Sequence, residues 1–289
     1  KELLALNQDP LGLQAYVVQH ENEGYVLVKD IEQKRVRFKL ICFINDIESM
    51  RMEKSKEYAH AEMNSIAVAD IILAPNDNSI QILQNKYHFT NHLVSIGIWD
   101  YLNNFEPIAS EHTTNMVFNE KSVAFAGNLN KAPFINELSS VNLNFKIWGS
   151  NTEEKKDRNI EFMGKKAPDE LIENISQCTW GLVWDGISIN TCCGLLGTYL
   201  RFNNSHKCGL YLAARVPVIV WEESGMASFV NKYKVGICVS SLHDAADIIN
   251  CMDQKVYNIY KKNAQSIGQL ISEGKFFLEA LEKAEKITN

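Results

Sequence analysis

Two uninterrupted apolar runs, Trp180-Gly-Leu-Val-Trp184 and Pro217-Val-Ile-Val-Trp221, leave this chain few folds to choose from. Neither alternates polar with apolar residues, so each reads as a strand covered on both faces, the condition of a parallel sheet between helices. Between them lie an acidic loop opening, Asp185-Gly186, a long polar loop with glycines, and a short helix over about 205–214. Asn203-Asn204-Ser205-His206-Lys207 opens that helix, and a side chain at Asn204 or Ser205 is expected to cap a free amide of its first turn. Lys207 then stands at the positive end of the helix dipole, which opposes a cation by roughly 0.3 to 1 kcal/mol. A phosphate would offset that cost, because a helix start is already an anion site. The plainer alternative is an exposed lysine in solvent, where salt screens the dipole.

The rest of the chain keeps the same rhythm from Phe38 onward. Phe38-Lys-Leu-Ile-Cys-Phe-Ile44 is a buried strand ending in Asn45-Asp46, and a helical pattern covers 55–69. Asp70-Ile-Ile-Leu-Ala-Pro75 is the next strand, with Asp77 placed to cap a helix running to about Lys86. His92-Leu-Val-Ser-Ile96 and Gly97-Ile-Trp-Asp100 close this half, and the polar stretch 101–121, which contains Pro107, reads as a linker. In the second half Ser122-Val-Ala-Phe-Ala126 leads into a tight turn, Gly127-Asn-Leu-Asn130, and a helix near 132–138. Strands at 145–148 and 160–163, a helix opened by Pro168-Asp-Glu, a helix from about Met226, a strand at 235–239 and a helix from about His243 follow. The tail from Val256 is helical, with Phe276, Phe277 and Leu281 on a packing face.

Strands alternating with helices at this spacing predict a doubly wound α/β fold, whose ligands sit at the carboxyl ends of the strands. Gly127, Asp185 and the 204–207 turn all fall there. Glycine at 127 would let a ligand approach the backbone closely, and Asn128 suits either a ligand or its own turn.

Composition narrows the partners. With 289 residues, 46% hydrophobic and 22% charged, the chain is long enough for two globular domains. A net charge of −6 gives no general attraction for nucleic acid, though a local basic patch or action at a membrane surface stays compatible with it. The seven cysteines form no C-x-x-C pair, so reduced thiols in a cytoplasmic protein are expected, and Cys192-Cys193 reads as two small loop residues. No apolar run approaches the roughly 18 residues of a membrane span.

Residues 1–34 stand apart from this pattern. A run to Tyr16-Val-Val18, a turn at 21–24 and Tyr25-Val-Leu-Val-Lys29 predict a β-hairpin. Asn7-Gln-Asp-Pro-Leu-Gly12 ahead of those strands resembles the junction in family α-galactosidases (melibiases) where the catalytic barrel meets its C-terminal domain. The catalytic carboxylates of that family lie upstream of the junction, so no glycosidase activity is expected, and a fusion or rearranged gene would account for the segment. It occupies the place of a first strand and helix, so the N-terminal domain is expected to be incomplete.

From about Val36 to Ile287 a different likeness holds. Phe43-Ile-Asn-Asp46, Ala69-Asp-Ile-Ile-Leu-Ala-Pro75, Gly97-Ile-Trp-Asp100, Phe125-Ala-Gly-Asn128, Trp180-Gly-Leu-Val-Trp-Asp185, Tyr199 through Lys207, Tyr211-Leu-Ala-Ala214 and Pro217-Val-Ile-Val220 occur in that order. Together they resemble the bacterial galactofuranosyltransferase-like glycosyltransferases, which include the glucosyltransferases of adhesin glycans. The resemblance implies a GT-B fold: a segment at 1–34, an acceptor-side Rossmann-like domain at 35–110, and a nucleotide-sugar domain at 111–289, facing each other across a cleft. It implies transfer of a hexose from a UDP-sugar to a glycan or glycoprotein acceptor in cell-surface synthesis, with Lys207 on the diphosphate, Asn203, Asn204, His206, Gly127, Asn128 and Asp185 around the donor, and Lys166 as a basic nucleotide contact. Asp46 is the candidate base, since Asn45 cannot serve where some relatives carry histidine. No D-x-D triplet offers metal ligands, so a metal-independent enzyme without a cofactor is expected. Similarity also suggests an oligomer and a place at the inner face of the membrane. Two other classes remain open, a non-catalytic nucleotide-sugar-binding partner subunit and an α-galactosidase fragment.

Overall fold

The computed structural model describes residues 4–8, 14–19, 38–105, 118, 120–150 and 158–288. The chain forms two compact units, 1–97 with 277–289, and 98–276. The linker boundary expected at 110 lies outside the described residues.

The first unit holds a five-stranded sheet in the order β1 (Leu4–Gln8), β2 (Gln14–Gln19), β3 (Phe38–Phe43), β4 (Ile71–Ala74), β5 (His92–Ser95). Only β1 and β2 are antiparallel; β2 to β5 run parallel. This corrects two expectations. The antiparallel pair is made by 4–8 with 14–19, and the other edge of 14–19 is taken by β3, which leaves it no edge for the expected partner 25–29. The parallel sheet begins at Gln14 rather than Phe38, because β2 pairs in register with β3 along all six residues, so the segment supplies a strand instead of displacing one. The run 25–29 lies outside the described residues.

One helix of this unit is capped from a neighbouring element and two others by their own N-cap residues. Helix α1 (Glu48–Arg51) has no cap of its own, and Glu62, buried on α2 (Lys56–Ala67), accepts the amides of Glu48 and Ser49 at 2.8 and 2.9 Å. Helix α3 (Asp77–Tyr87) is capped by Asn76, one residue before the expected Asp77, in a reciprocal box with Ser79.

In the second unit six parallel strands, β6 (Ser122–Ala126), β7 (Asn144–Trp148), β8 (Ile160–Gly164), β9 (Trp180–Val183), β10 (Val218–Trp221) and β11 (Gly236–Val239), lie in the order β8-β7-β6-β9-β10-β11. Counted from its own first strand this is 3-2-1-4-5-6, the doubly wound order. The helices are α4 (Pro168–Ser176), α5 (Gly194–Tyr199), α6 (His206–Ala213), α7 (Ala227–Tyr233), α8 (Leu242–Cys251) and α9 (Gln254–Ser272). The helix expected near 132–138 is a 3-10 helix, Pro133–Ser140. The tail is two helices, α9 and α10 (Lys275–Thr288), broken where Gly274 takes a left-handed φ of 76°. Phe277 packs edge-on against Phe43 at 5.2 Å, and Phe276 against Phe229 at 5.4 Å, so the expected packing face is formed.

Alternation along β6 sorts the sheet faces. Val123 and Phe125 enter one core, Ala124 and Ala126 the other. The small residues Ala124, Ala126 and Gly181 let α6 approach closely: a side chain at 181 would start 2.3 Å from the Tyr211 ring. Fully buried Tyr211 accepts the Ala126 amide through its hydroxyl at 2.9 Å, and burial raises the pKa of that phenol.

Burial also lowers Lys261 on α9 to a pKa of about 8, against a partial counter-effect from Cys178. Between about 8 and the usual 10.5 the unfolded chain holds a proton here that the folded chain has released, so folding stability rises with pH across that window. Lys261→Met should therefore raise the melting temperature at pH 7, with its advantage shrinking as pH climbs to about 10.5. Melting curves of the two proteins at pH 7 and 10 would refute this if the gap stayed constant.

Candidate functional site

The strand order reverses between β6 and β9, since β6 leads to β7 on one side while β9 lies on the other. The crevice beyond the carboxyl ends of such a pair is the ligand position of doubly wound sheets. Gly127 directly follows β6, and Asp185 stands two residues past β9. Lys207, in the first turn of α6, reaches between them: its Nζ lies 2.9 Å from both Asp185 carboxylate oxygens. Its ammonium also sits over the Phe125 ring, 5.5 Å from the centroid. A side chain at 127 would start 3.3 Å from Lys207 Cε, so glycine keeps this crevice open. Thus the anion expected opposite the helix dipole is present, and in this structure it is the chain's own carboxylate.

The loop after Asp185 closes tightly on itself. Gly186 has φ 109°, and a side chain there would strike the Cys193 carbonyl at 2.3 Å. Burial pushes the Cys192 thiol well up, with Asp185 and Lys207 close enough to influence it, which suits a packed small residue and not a ready nucleophile.

The remaining expected residues divide. Asn204 is buried just before α6, and Asn203 donates its amide to the Tyr199 carbonyl at 3.1 Å while its Oδ1 is buried without a hydrogen-bond partner. Ser205 occupies the N-cap, but its side chain makes no capping hydrogen bond, so of the two expected caps Ser205 is not one. His206 is exposed and stacks on Trp99, with centroids 5.9 Å apart and planes 19° from parallel. Asn128 spends its Oδ1 on the Asn130 amide at 3.1 Å, the local turn bond that was one of its two readings. Lys166 pairs with Glu170 on α4 at 2.5 Å. Asp46, in the first unit, does not cap α1, a task Glu62 performs; it accepts from Arg51 at 2.6 Å. Sequence reasoning passed over Tyr211, Phe125 and Trp99. Each is an apolar or aromatic residue within a core pattern, and only the fold reveals its contact with the site.

Parallel α/β units of this kind are the architecture of a GT-B glycosyltransferase. The comparisons agree on that fold. The structure matches sucrose-phosphate synthase from Thermosynechococcus elongatus with a TM-score of 0.66 at 13% identity, covering 95% of this chain and 73% of the other. It matches Anabaena HepE, solved in complex with UDP, with a TM-score of 0.60 at 14% identity, covering 94% and 78%. By sequence, the chain is 29% identical over 253 residues to the β-1,6-galactofuranosyltransferase WbbI of Escherichia coli (strain K12), covering 86% of this chain and 72% of that protein. It is 23% identical over 252 residues to Glucosyltransferase 3 of Streptococcus gordonii, covering 86% and 71%.

The models of the Glucosyltransferase 3-like N-terminal and C-terminal domains match residues 19–98 and 123–284, and the chain belongs to this family. It is a hexosyltransferase. The N-terminal match begins inside the segment likened to α-galactosidases, and the comparisons lend that likeness no support. Among the described residues no helix is long and apolar enough to cross a membrane.

Proposed function

We propose that this protein moves a hexose from a UDP-sugar to a glycan acceptor, and that the diphosphate takes the place the Asp185 carboxylate now holds on Lys207. The observation carrying this reading is the Lys207 Nζ at the strand switch, 2.9 Å from both oxygens of an acidic group and beside an open glycine. A planar carboxylate already models the charge and bidentate geometry of a phosphate there. The UDP complex of HepE supports the choice of nucleotide.

As the acceptor hydroxyl attacks the anomeric carbon, the bond to the β-phosphate oxygen breaks and negative charge grows on the departing diphosphate. Lys207 and the positive end of the α6 dipole meet that charge. The hydroxyl proton needs a base in an inverting course, and Asp46 is the proposed one. No metal enters this scheme, since the lysine and helix start supply the positive charge. Asp46→Asn should therefore cut turnover by about 100-fold while UDP binding is retained, and EDTA should alter neither quantity. Full activity in the variant would remove Asp46 from the mechanism, and loss of activity with EDTA would require a metal. All seven cysteines are free thiols, which fits an enzyme of the reducing cytoplasm.

Isothermal titration of UDP and UMP, followed by turnover assays with UDP-hexoses, tests the reading as a whole. UDP should bind more tightly than UMP. Equal affinities would place the second phosphate elsewhere, and no binding of either would overturn the donor assignment.

A further inference from the structure

The first unit carries a concave feature that the proposed donor site on Lys207 does not include. A groove of about 550 Å³ runs along α2 and the turn after α3. Its floor is apolar: Ala59, Met63 and Ala67 recur at the four-residue spacing that aligns one face of a helix, and Phe89 lies beside them. Two lysines line it, Lys56 from α2 and Lys86 from α3, together with the imidazoles of His60 and His88. No carboxylate lines it, and among the described residues neither lysine has an ion-pair partner. In a chain with a net charge of −6, such a carboxylate-free basic trough is a local exception. The walls are tied together, because the Asn91 side-chain amide donates to the carbonyls of Ala67 and Ala69 at 2.9 and 2.5 Å.

We propose that this groove docks an acidic amphipathic helix of a partner protein. From Lys56 to Ala67 the lined face spans three turns, about 16 Å at 1.5 Å per residue, which matches the footprint of a short helix laid in a groove. Apolar side chains of the guest meet Ala59, Met63 and Ala67, while its flanking carboxylates meet Lys56 and Lys86. A membrane surface fits poorly, since a flat array of headgroups cannot follow a concave apolar floor.

The probe is a dye-labelled 16-residue model helix with leucine along one face and glutamate on its flanks, compared with the same helix bearing lysine for every glutamate. Fluorescence anisotropy against the full chain should show binding of the acidic helix alone, weakened about tenfold by Lys56→Glu combined with Lys86→Glu and weakened by salt. Ala59→Arg, which fills the floor, should weaken it as well. UDP titration of each variant should be unchanged, which separates this proposal from the donor assignment. Equal binding of the basic helix, no binding of the acidic one, or insensitivity to both substitutions would overturn it. So would sedimentation of the chain with anionic vesicles in a Lys56- and Lys86-dependent manner without helix binding. A loss of self-association in the charge-reversed variant would instead assign the groove to a second copy of this chain.

Discussion

Replacing Lys207 by alanine is expected to weaken UDP binding roughly 10- to 100-fold, because a hydrogen bond to a charged group contributes about 1.5 to 3 kcal/mol. UMP affinity should change far less, so the preference for the diphosphate should collapse. The loss has two parts. Alanine removes the ammonium that meets the phosphate, and it leaves the half-buried Asp185 carboxylate facing the incoming diphosphate with no cation between them. The second part is separable: Lys207→Ala combined with Asp185→Asn should recover several-fold of the affinity lost in the single variant, since a neutral amide does not repel the ligand. Asp185→Asn alone frees Lys207 from its competitor and should bind UDP at least as tightly as the parent. Calorimetry on the four proteins closes the cycle. If the double variant binds no better than Lys207→Ala, or if Asp185→Asn alone loses affinity, the carboxylate contacts the donor directly and the exchange of anions on Lys207 is refuted.

This pair also marks how far the chain could be read before its fold was known. The buried strands β9 and β10 were legible because both faces of each are covered, which forces an unbroken apolar run. That Lys207 needs an anion was legible from its place in a first helical turn. The identity of the anion was not, since Asp185 lies 22 residues away and only the reversal of strand order brings it back. The idle side chain at the N-cap of α6 was equally hidden: Ser205 carries the right chemistry for a cap, yet its side chain makes no capping hydrogen bond. At the N-terminus a local signal misled: the turn residues at 21–24 suggested a hairpin built on 16–18 and 25–29, whereas 14–19 pairs with 4–8 on one edge and with 38–43 on the other. Lys166 shows a different limit, for a lysine four residues before a glutamate on a helix start satisfies itself locally.

The largest stability effect is expected at Gly181, where local propensity points the wrong way. Valine suits a buried strand far better than glycine does, so by propensity Gly181→Val would stabilise β9. The fold reverses that expectation. A side chain at 181 would start 2.3 Å from Tyr211 Cγ and 2.6 Å from its Cβ, and the ring cannot step aside. Its hydroxyl is fixed on the Ala126 amide at 2.9 Å, and its helix is held from behind by Gly268 of α9, where an added Cβ would meet the Leu212 carbonyl at 2.0 Å. The strand cannot retreat either, because Gly181 donates to the Pro217 carbonyl at 2.9 Å and pairs on both sides with β6 and β10. Overpacking, together with a buried amide left unpaired if Tyr211 is expelled, should cost about 3 kcal/mol or more. Urea unfolding should show a lowered midpoint, with Gly181→Ala intermediate. Combining Gly181→Val with Tyr211→Leu should return part of the loss, since the smaller side chain vacates the ring's space. The same helix carries Lys207, so the folded fraction of Gly181→Val should also bind UDP less tightly, as the displaced α6 takes its ammonium out of line with Gly127. A variant with parental stability and parental UDP affinity would mean that the spacing of α6 from the sheet does not position the site.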